Sequence, residues 1–369
     1  MTPTGTIGAR RQVFTGRSAL TPLGLSVSDQ VPDTPGWRFD TVIDVTAADA
    51  SDHVSRTLPE SFTIKDYVKA VGLVRKERFS HLAIAAAVSA HADCRLTDDA
   101  DLDRIGIVLG TEYGPQRVVA AYLAGLVGGG LTKARPGLFT QTVYNVANGQ
   151  AALALGFRGV NSTLVGGSSV AYASHLVSVG KADVVFALSV DETNQIMDEH
   201  LAAIAPRITG RRLPLVTGEA AAGIVIEAEE HARTRGATVI GSLLATAQAS
   251  AEGVMTSYEE WSPTDDTLAY TMRAALDTAG VDVGEVDLAV GVGNGFPGLT
   301  ASELSGLDAI GYTGPIVYPR VAVGECFGGN EALACVLALE VAAAGATVLV
   351  NCTTVNGGVT TILLQKAEA

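Results

Sequence analysis

The sequence predicts an α/β protein made of two similar halves. Two patterns occur once in each half and in the same order. In the first, a helix-like run leads into an apolar strand that ends in glycines, at 81–114 and again at 268–295. In the second, a glycine pair opens a long apolar helix that leads into a buried strand, starting at Gly166 and at Gly328. Because order and spacing repeat as well as composition, we interpret the chain as an internal duplication. Two unrelated α/β units of similar composition are the alternative.

The strands of the second pattern are continuous runs of β-branched or aliphatic residues, 184–188 and 348–350. Such runs are typical of strands that helices cover on both faces, so each half is predicted to hold a mostly parallel sheet. The irregular segment 191–215 contains PRITGRRLP and is predicted to be a loop. No low-complexity linker separates the halves, 1–240 and 241–369, so they are expected to pack as one body.

Composition and charge exclude several functions. The formal net charge of −14 disfavours nucleic acid as a partner, because phosphate binding needs a basic face. The four cysteines form no CxxC pair and no metal-ligand spacing with histidine, which predicts a reduced, cytoplasmic protein without a metal. The N-terminus is polar up to Gln12 and lacks an apolar signal-peptide core. The apolar stretch 332–350 carries Glu340, so it predicts a buried helix and strand, and no membrane segment is expected.

Six segments resemble, in the same order, the motifs of the β-ketoacyl-ACP synthase family. They are RQVFTGRSALTPLG (11–24), RFSHLAIAAA (78–87), GTEYG (110–114), LFTQTVYNVANGQAALALGFRG (138–159), GEAAAGIVIEAEEHARTRGATV (218–239) and NCTTVNGGVTTILL (351–364). Together they span nearly the whole chain. The resemblance implies a thiolase-like fold, in which duplicated α/β halves pack as a five-layered α-β-α-β-α body.

The resemblance also implies that the catalytic residues are lost. Ketosynthases need a cysteine to hold the acyl chain and two histidines for decarboxylation. Gly166 matches the cysteine position, Asn294 or the neighbouring Gly293 the first histidine, and Glu325 the second. All six histidines precede residue 232, whereas both family histidines lie in the second half. We therefore expect no condensation by this chain alone, and a carboxylate at position 325 is expected to repel a malonyl group.

A ketosynthase-like chain without its triad resembles the chain-length factor of type II polyketide synthases. This resemblance implies a heterodimer with an active ketosynthase, in which the present chain shapes the partner's acyl tunnel and sets polyketide length. The net charge of −14 disfavours direct docking of an acidic acyl carrier protein, which is expected to bind through the partner. No cofactor is expected. Gly166, in place of the usual glutamine, and the short chain favour the highly reducing, polyene-type relatives.

The tunnel gate is predicted on the helix that follows GTEYG, at 114–130. The resemblance places Pro115, Val118 and Tyr122 there, facing the partner's tunnel. Their spacing of three and four puts them on one face of a helix. The alternative is that Val118 and Tyr122 are core residues of an amphipathic helix.

Two other functions remain open. One is a rewired acyltransferase or hydrolase that uses Cys326 or Cys352, and the other is a homodimeric acyl-binding scaffold. Cys352 lies near the place where thiolases keep a second catalytic cysteine, but CTTVNGGV lacks the glycines of that signature. With no histidine nearby, both cysteines are expected to be buried and structural.

Other candidate side chains are expected to be non-catalytic. Ser168 and Ser169 follow the vacant nucleophile position, but we expect neither to act without a base. Glu219 and Glu303 are expected to have structural roles, because a carboxylate without a titrating partner is rarely catalytic.

Overall fold

The structure is a computed structural model, and it describes most of the chain. The described residues are 10–30, 54–97, 99–195, 197–199, 216–251, 265–294 and 297–368. The loop predicted at PRITGRRLP (206–214) lies outside these residues.

Strands and helices are mixed along the whole length of the described chain. The strands are β1 (Gln12–Leu20), β2 (Val54–Arg56), β3 (Ile105–Thr111), β4 (Asn161–Val165), β5 (Val184–Asp191), β6 (Val216–Gly218), β7 (Ala220–Ala228), β8 (Gly241–Ser250), β9 (Leu288–Val290), β10 (Ile316–Val317), β11 (Thr347–Thr353) and β12 (Gly358–Lys366). The helices are α1 (Val71–Val74), α2 (Arg78–Cys94), α3 (Gln116–Gly129), α4 (Pro136–Phe139), α5 (Asn145–Leu155), α6 (Ser169–Ser178), α7 (Glu229–Thr234), α8 (Asp265–Ala279), α9 (Pro297–Ile310), α10 (Pro319–Val323) and α11 (Asn330–Val341).

The two halves repeat one strand order. It is β4-β3-β5-β7-β1 in the first half and β10-β9-β11-β12-β8 in the second. The second strand in each order, β3 or β9, is parallel to both of its neighbours, which confirms the duplication. The prediction of mostly parallel sheets was wrong, because the other two pairings in each half are antiparallel. In the second half, β11 and β12 are joined by a short hairpin, which forces antiparallel pairing.

The halves pack as five layers. Residues of α6 and α11 share one hydrophobic core with strands from both halves, so these helices form the central layer. Helices α2 and α5 cover the first sheet on its outer face, and α8 and α9 cover the second. Strands β1 and β8 join the two sheets by pairing over Gln12–Phe14. The arrangement is the α-β-α-β-α body of the thiolase fold, as predicted.

The repeated sequence patterns fold as predicted. The run at 81–114 forms α2 and β3, and the run at 268–295 forms α8 and β9. The apolar stretch 332–350 forms most of α11 and the start of β11, and residues 332–339 and 346–350 are buried. Glu340 is tolerated within this apolar stretch because its carboxylate pairs with the guanidinium of Arg17, with Oε1 and Nη2 2.7 Å apart. Within the described ranges, we find no helix that is long and apolar enough to cross a membrane.

Candidate functional site

A cavity of about 300 Å³ lies between the halves, where the central helices α6 and α11 begin. Loops from both halves line it at equivalent places, because each helix follows a glycine pair. Gly166 and Gly167 come from the first half, and Gly328 belongs to the loop before α11. The ends of β3 and β11 complete the wall. This is the region in which the sequence analysis placed the vacant nucleophile.

Gly166 occupies a backbone conformation that suits glycine. Its φ is +65°, in the left-handed region, and its N–H donates to the carbonyl of Thr111 at 2.9 Å. A β-carbon at this position would lie 2.3 Å from Nδ2 of Asn356, whose amide donates to the Gly166 carbonyl at 3.3 Å. The position that the sequence comparison with the family matched to the nucleophile has no side chain, and the amide of Asn356 fills the adjacent space.

The first turn of α6 is occupied by a carboxylate from the other half. Oε2 of Glu331 accepts hydrogen bonds from Oγ of Ser169 at 2.9 Å and from the N–H of Val170 at 3.1 Å. Ser168 caps the same helix, since its Oγ accepts from the N–H of Ala171 at 2.9 Å. Burial raises the pKa of Glu331, although its hydrogen bonds to the two serines oppose this. The positive end of the helix is thus compensated within the chain and is not free to activate a nucleophile.

This contact was not predicted from the sequence. A carboxylate does lie beside Ser169, yet both serine hydroxyls are already engaged in hydrogen bonds within the chain. A single glutamate in the otherwise apolar start of α11 was the available signal, because a charged residue on a buried helix needs a partner.

The two positions that matched the lost histidines contact each other. Nδ2 of Asn294 donates to Oε2 of Glu325 at 2.5 Å. Glu325 is fully buried and also accepts from Nη1 of Arg320 at 3.0 Å and from the N–H of Phe327 at 2.8 Å, with a further bond from Nδ2 of Asn330. Neither Asn294 nor Glu325 lines the cavity, since Arg320 and Asn330 do so instead. The sequence led us to expect that the carboxylate at position 325 repels a malonyl group. This expectation is corrected, because the guanidinium of Arg320 compensates the negative charge of Glu325.

Asp191, at the end of β5, holds two loops at the cavity. Its carboxylate accepts from Oγ1 of Thr111 and from the N–H groups of Glu112, Tyr113 and Gly114 in the GTEYG turn. It also accepts from the N–H of Gly328 at 2.9 Å, which ties the second half to the same carboxylate. Burial raises the pKa of Asp191 to about 6 despite these bonds.

The adjacent Glu192 anchors the start of α3. Oε1 of Glu192 accepts from the N–H of Arg117 at 3.0 Å, and the guanidinium of Arg117 donates to the carbonyl of Thr193 at 2.7 Å. Burial raises the pKa of Glu192 to about 7. The helix predicted to carry the gate is therefore attached to β5 through a buried acid that titrates near neutral pH.

The cysteines considered for a rewired enzyme are buried. Cys326 is fully buried and Cys352 nearly so, and burial raises the pKa of both thiols. Cys352 lines the cavity, whereas Cys326 does not. A protonated thiol is a weak nucleophile, so neither environment favours covalent catalysis.

The three gate candidates have different environments. Pro115 lies just before α3, as the residue that caps it. Val118 is only 2% exposed and packs inside this chain. The ring of Tyr122 packs against the ring of Phe139, with centroids 5.6 Å apart. The contact of these residues with a partner's tunnel stays a prediction.

The two remaining glutamates make structural contacts. Glu219 is buried, pairs with Arg78, and accepts from the N–H of Leu58 at 3.2 Å. Glu303 is buried and accepts from the N–H of Val292 at 2.9 Å and from Nδ2 of Asn351 at 3.0 Å. Both carboxylates hold loops or strands in place.

The duplicated five-layered body, with its cavity at the start of the paired central helices, defines a thiolase-fold protein of the ketosynthase type. Residues 11–201, just over half of the chain, match the family model for the N-terminal domain of β-ketoacyl synthases. The chain belongs to the β-ketoacyl synthase family.

Curated relatives of this chain are 3-oxoacyl-(acyl-carrier-protein) synthases by name. The chain is 26% identical over 301 residues to 3-oxoacyl-(acyl-carrier-protein) synthase 2 of Staphylococcus aureus (strain N315), covering 75% of this chain and 71% of that protein. It is 24% identical over 328 residues to the synthase of the same name from Vibrio harveyi, covering 81% and 76%.

Solved structures share the fold over nearly the whole chain. One is described as the ishigamide ketosynthase/chain length factor, with a TM-score of 0.81 and 21% identity over 97% of this chain and 99% of that one. Another is a type II PKS acyl-carrier protein in complex with its ketosynthase bound to the hexaketide, with a TM-score of 0.76 and 20% identity over 97% and 99%. At these identities the likeness concerns the fold.

Proposed function

We propose that this chain is the catalytically inactive, chain-length-determining subunit of a heterodimer with an active ketosynthase. The partner supplies the cysteine and the histidines for decarboxylative condensation on an acyl carrier protein. The present chain shapes the partner's acyl tunnel and limits the length of the polyketide. The synthases named above share its family, and the proposal rests on how its own centre differs from the chemistry that such synthases require.

The observation that carries the proposal is the state of position 166. A glycine stands where the nucleophile is required, Asn356 fills the space beside it, and Glu331 occupies the first turn of α6. The sequence also contains no histidine after His231, so the second half has no imidazole for decarboxylation. A chain with this centre has no nucleophile at position 166, and burial raises the pKa of the Cys352 thiol on the cavity wall, which disfavours its use for a thioester.

An apolar edge supports the existence of a partner. In the described part of the chain, β4 is the last strand of its sheet, so one of its edges has no neighbouring strand. Leu153, on the neighbouring helix α5, is 69% exposed, and Val165 of β4 itself is 52% exposed. We call these two residues the edge patch. An open strand with apolar flanks favours pairing with another chain.

The gate assignment remains part of the proposal. Tyr122 is half-buried on α3, and beyond it Leu123 and Val127 of the same helix are exposed. Apolar side chains on this exposed stretch of α3 are suited to contact a second subunit. Val118 supports its neighbours from within the core, which makes Tyr122 the main candidate for contact with the growing chain.

Co-expression with a candidate ketosynthase tests the proposal. We expect a one-to-one complex, in which a carrier-protein-bound thiol-reactive probe labels the partner's cysteine and leaves this chain unlabelled. Val165→Lys, in the edge patch, should break the complex, whereas Tyr270→Lys, at an exposed site on α8, should leave it intact. Labelling of this chain would contradict the inactive assignment. If this chain forms a stable homodimer and does not bind the ketosynthase, the result favours the acyl-binding scaffold.

A further inference from the structure

Helix α3, which carries Tyr122, has few contacts within this chain. The structure describes all of α3, and Val118 is its one buried residue, while every later residue of the helix is half-buried or exposed. Glu192 holds the first turn through the N–H of Arg117, but Tyr122 lies more than one turn further along. An aromatic side chain on a helix has more than one allowed rotamer, so a neighbour outside α3 is needed to fix the direction of the Tyr122 ring.

The chain segment 133–144 returns beside α3 and packs closely on the helix and on the turn before it. We call this segment the strap. A β-carbon on Gly125 would lie 3.2 Å from the carbonyl oxygen of Lys133, and a β-carbon on Gly114 would lie 2.5 Å from the ring of Tyr144. The two glycines therefore let the strap approach more closely than a residue with a side chain would.

Between these two contacts, Phe139 of the strap carries an exposed ring on a fixed backbone. Its side chain is 56% exposed, yet its ring packs against the ring of Tyr122, with the two planes inclined at 48°. Leu138, just before Phe139, is buried. Gln141, just after it, is also buried, and its Oε1 accepts from the N–H of Glu77 at 2.9 Å, at the start of α2. The Phe139 ring is thus held in place and restricts the directions open to the ring of Tyr122.

We propose that Phe139 is a positioning residue, whose ring holds the ring of Tyr122 in the direction that closes the partner's acyl tunnel and so helps to set product length. This role rests on the function proposed above, in which Tyr122 limits the tunnel. It adds a second residue that acts through Tyr122 and not through its own contact with the polyketide. The physical cause is steric, because each of two rings in contact excludes some rotamers of the other.

Removal of the Phe139 ring should lengthen the product. In Phe139→Ala, the ring of Tyr122 can turn into the space that the Phe139 ring leaves, which frees volume at the end of the tunnel. Part of the steric penalty on the next extension step is then relieved. The ratio of the product that is one ketide unit longer to the normal product should rise by roughly threefold or more.

The test compares Phe139→Ala in two backgrounds of the heterodimer, reconstituted with the ketosynthase and acyl carrier protein. Product lengths are measured by mass spectrometry. With Tyr122 present, Phe139→Ala should shift the products toward longer chains. In the Tyr122→Ala background the same change should have no further effect, because no ring remains to be positioned. An equal shift in both backgrounds would show that Phe139 contacts the polyketide or the partner directly, and would overturn the proposal.

Two further variants separate positioning from a general structural effect. Phe139→Tyr keeps the ring and should give the wild-type product. Val143→Ala removes another exposed apolar side chain of the strap and should leave product length unchanged. Lower turnover of Phe139→Ala without a shift in length, or an equal shift with Val143→Ala, would overturn the proposal.

The result with Tyr122→Ala distinguishes failure of this role from failure of the proposed function. Longer products with Tyr122→Ala, together with wild-type products from Phe139→Ala, would overturn the role of Phe139 alone. Unchanged products with Tyr122→Ala would refute the gate at Tyr122, and the role of Phe139 would fall with it.

Discussion

The side-chain amide of Asn356 lies 2.3 Å from the point at which a β-carbon on residue 166 would stand. The two residues are far apart in the sequence and are brought together by the hairpin between β11 and β12. The same amide is bonded to the Gly166 carbonyl. A nucleophile placed at position 166 therefore has to displace a group that already stabilises the loop before α6.

Gly166→Cys should lower the free energy of unfolding by roughly 2–3 kcal/mol. About 1–2 kcal/mol comes from the left-handed backbone and the rest from moving Asn356. Gly180→Cys is the matched control, because Gly180 has φ +73° but open space around it, and it should show the backbone cost alone. Urea unfolding measures both. In the double variant Gly166→Cys with Asn356→Gly, the destabilisation should fall to that of Gly180→Cys. If Gly166→Cys alone is no more destabilised than Gly180→Cys, this account of Asn356 is contradicted.

Loss of both candidate cysteines should leave product formation nearly unchanged. Burial keeps the thiols of Cys326 and Cys352 protonated, so Cys326→Ala with Cys352→Ala should retain polyketide output within a few-fold in the reconstituted heterodimer. Product is measured by mass spectrometry. A complete loss of turnover in a folded, assembled double variant would argue for a rewired enzyme.

Changes at Tyr122 should alter product length if this residue closes the partner's tunnel. Tyr122→Ala opens space and should shift products toward longer chains, while Tyr122→Trp should shift them shorter. Overpacking in a closed tunnel costs about 1–3 kcal/mol, which biases one extension step by roughly five- to a hundredfold. Tyr270→Ala is the control, since Tyr270 is exposed on α8. Unchanged lengths in both Tyr122 variants, with activity retained, would place the gate elsewhere.

Stability should depend on pH through Glu192. Its pKa of about 7 in the folded chain is above the unfolded value near 4.5, so the folded state binds the extra proton. Stability is therefore lost as pH rises from about 4.5 through 7. Glu192→Gln removes this dependence, and its stability relative to wild type should rise by roughly 2–3 kcal/mol between pH 5 and pH 8. Urea unfolding at both pH values measures this, with Glu229→Gln, at an exposed carboxylate, as the comparison. An equal effect at both pH values would contradict the assigned pKa.

Removing one member of the buried ion pair should be costly. Arg320→Met leaves the Glu325 carboxylate uncompensated and should destabilise the chain by about 3–5 kcal/mol. Arg320→Met with Glu325→Gln should cost less, because no buried charge remains. Arg158→Met is the comparison, since its partner Asp103 is exposed and water screens this pair, so the loss of stability should be small. If Arg320→Met and Arg158→Met lower the free energy of unfolding by the same amount in urea unfolding, Glu325 is hydrated and does not behave as a buried charge.

Local patterns were sufficient to predict much of the fold. The apolar runs of β5 and β11 and the glycine pairs before α6 and α11 are continuous in the sequence, so their repetition could be recognised directly. The antiparallel half of each sheet was missed because β7 and β12 have the same apolar composition as the parallel strands. Composition does not encode strand direction, which depends on the connection between strands.

The site was predicted less completely, because its contacts join distant residues. Gly166, Asn294 and Glu325 could be matched to positions, but Asn356, Arg320 and Glu331 were not singled out. Asn356 meets Gly166, and Glu331 meets Ser169, only after the two halves pack together. No local period links such pairs. Arg320 and Glu331 are charged residues within apolar segments of the sequence. Because charged residues are rarely buried without a partner, this pattern could have identified them as candidates for buried ion pairs or hydrogen bonds.

In the inactive role proposed above, the contacts around position 166 make activity hard to regain by mutation. A catalytic variant needs a cysteine at 166 and histidines at 294 and 325. Gly166→Cys alone displaces the amide of Asn356, and replacing Glu325 alone leaves Arg320 without its partner. Single steps toward activity therefore pass through less stable proteins that gain no chemistry in return, so an evolutionary return would need several changes at once.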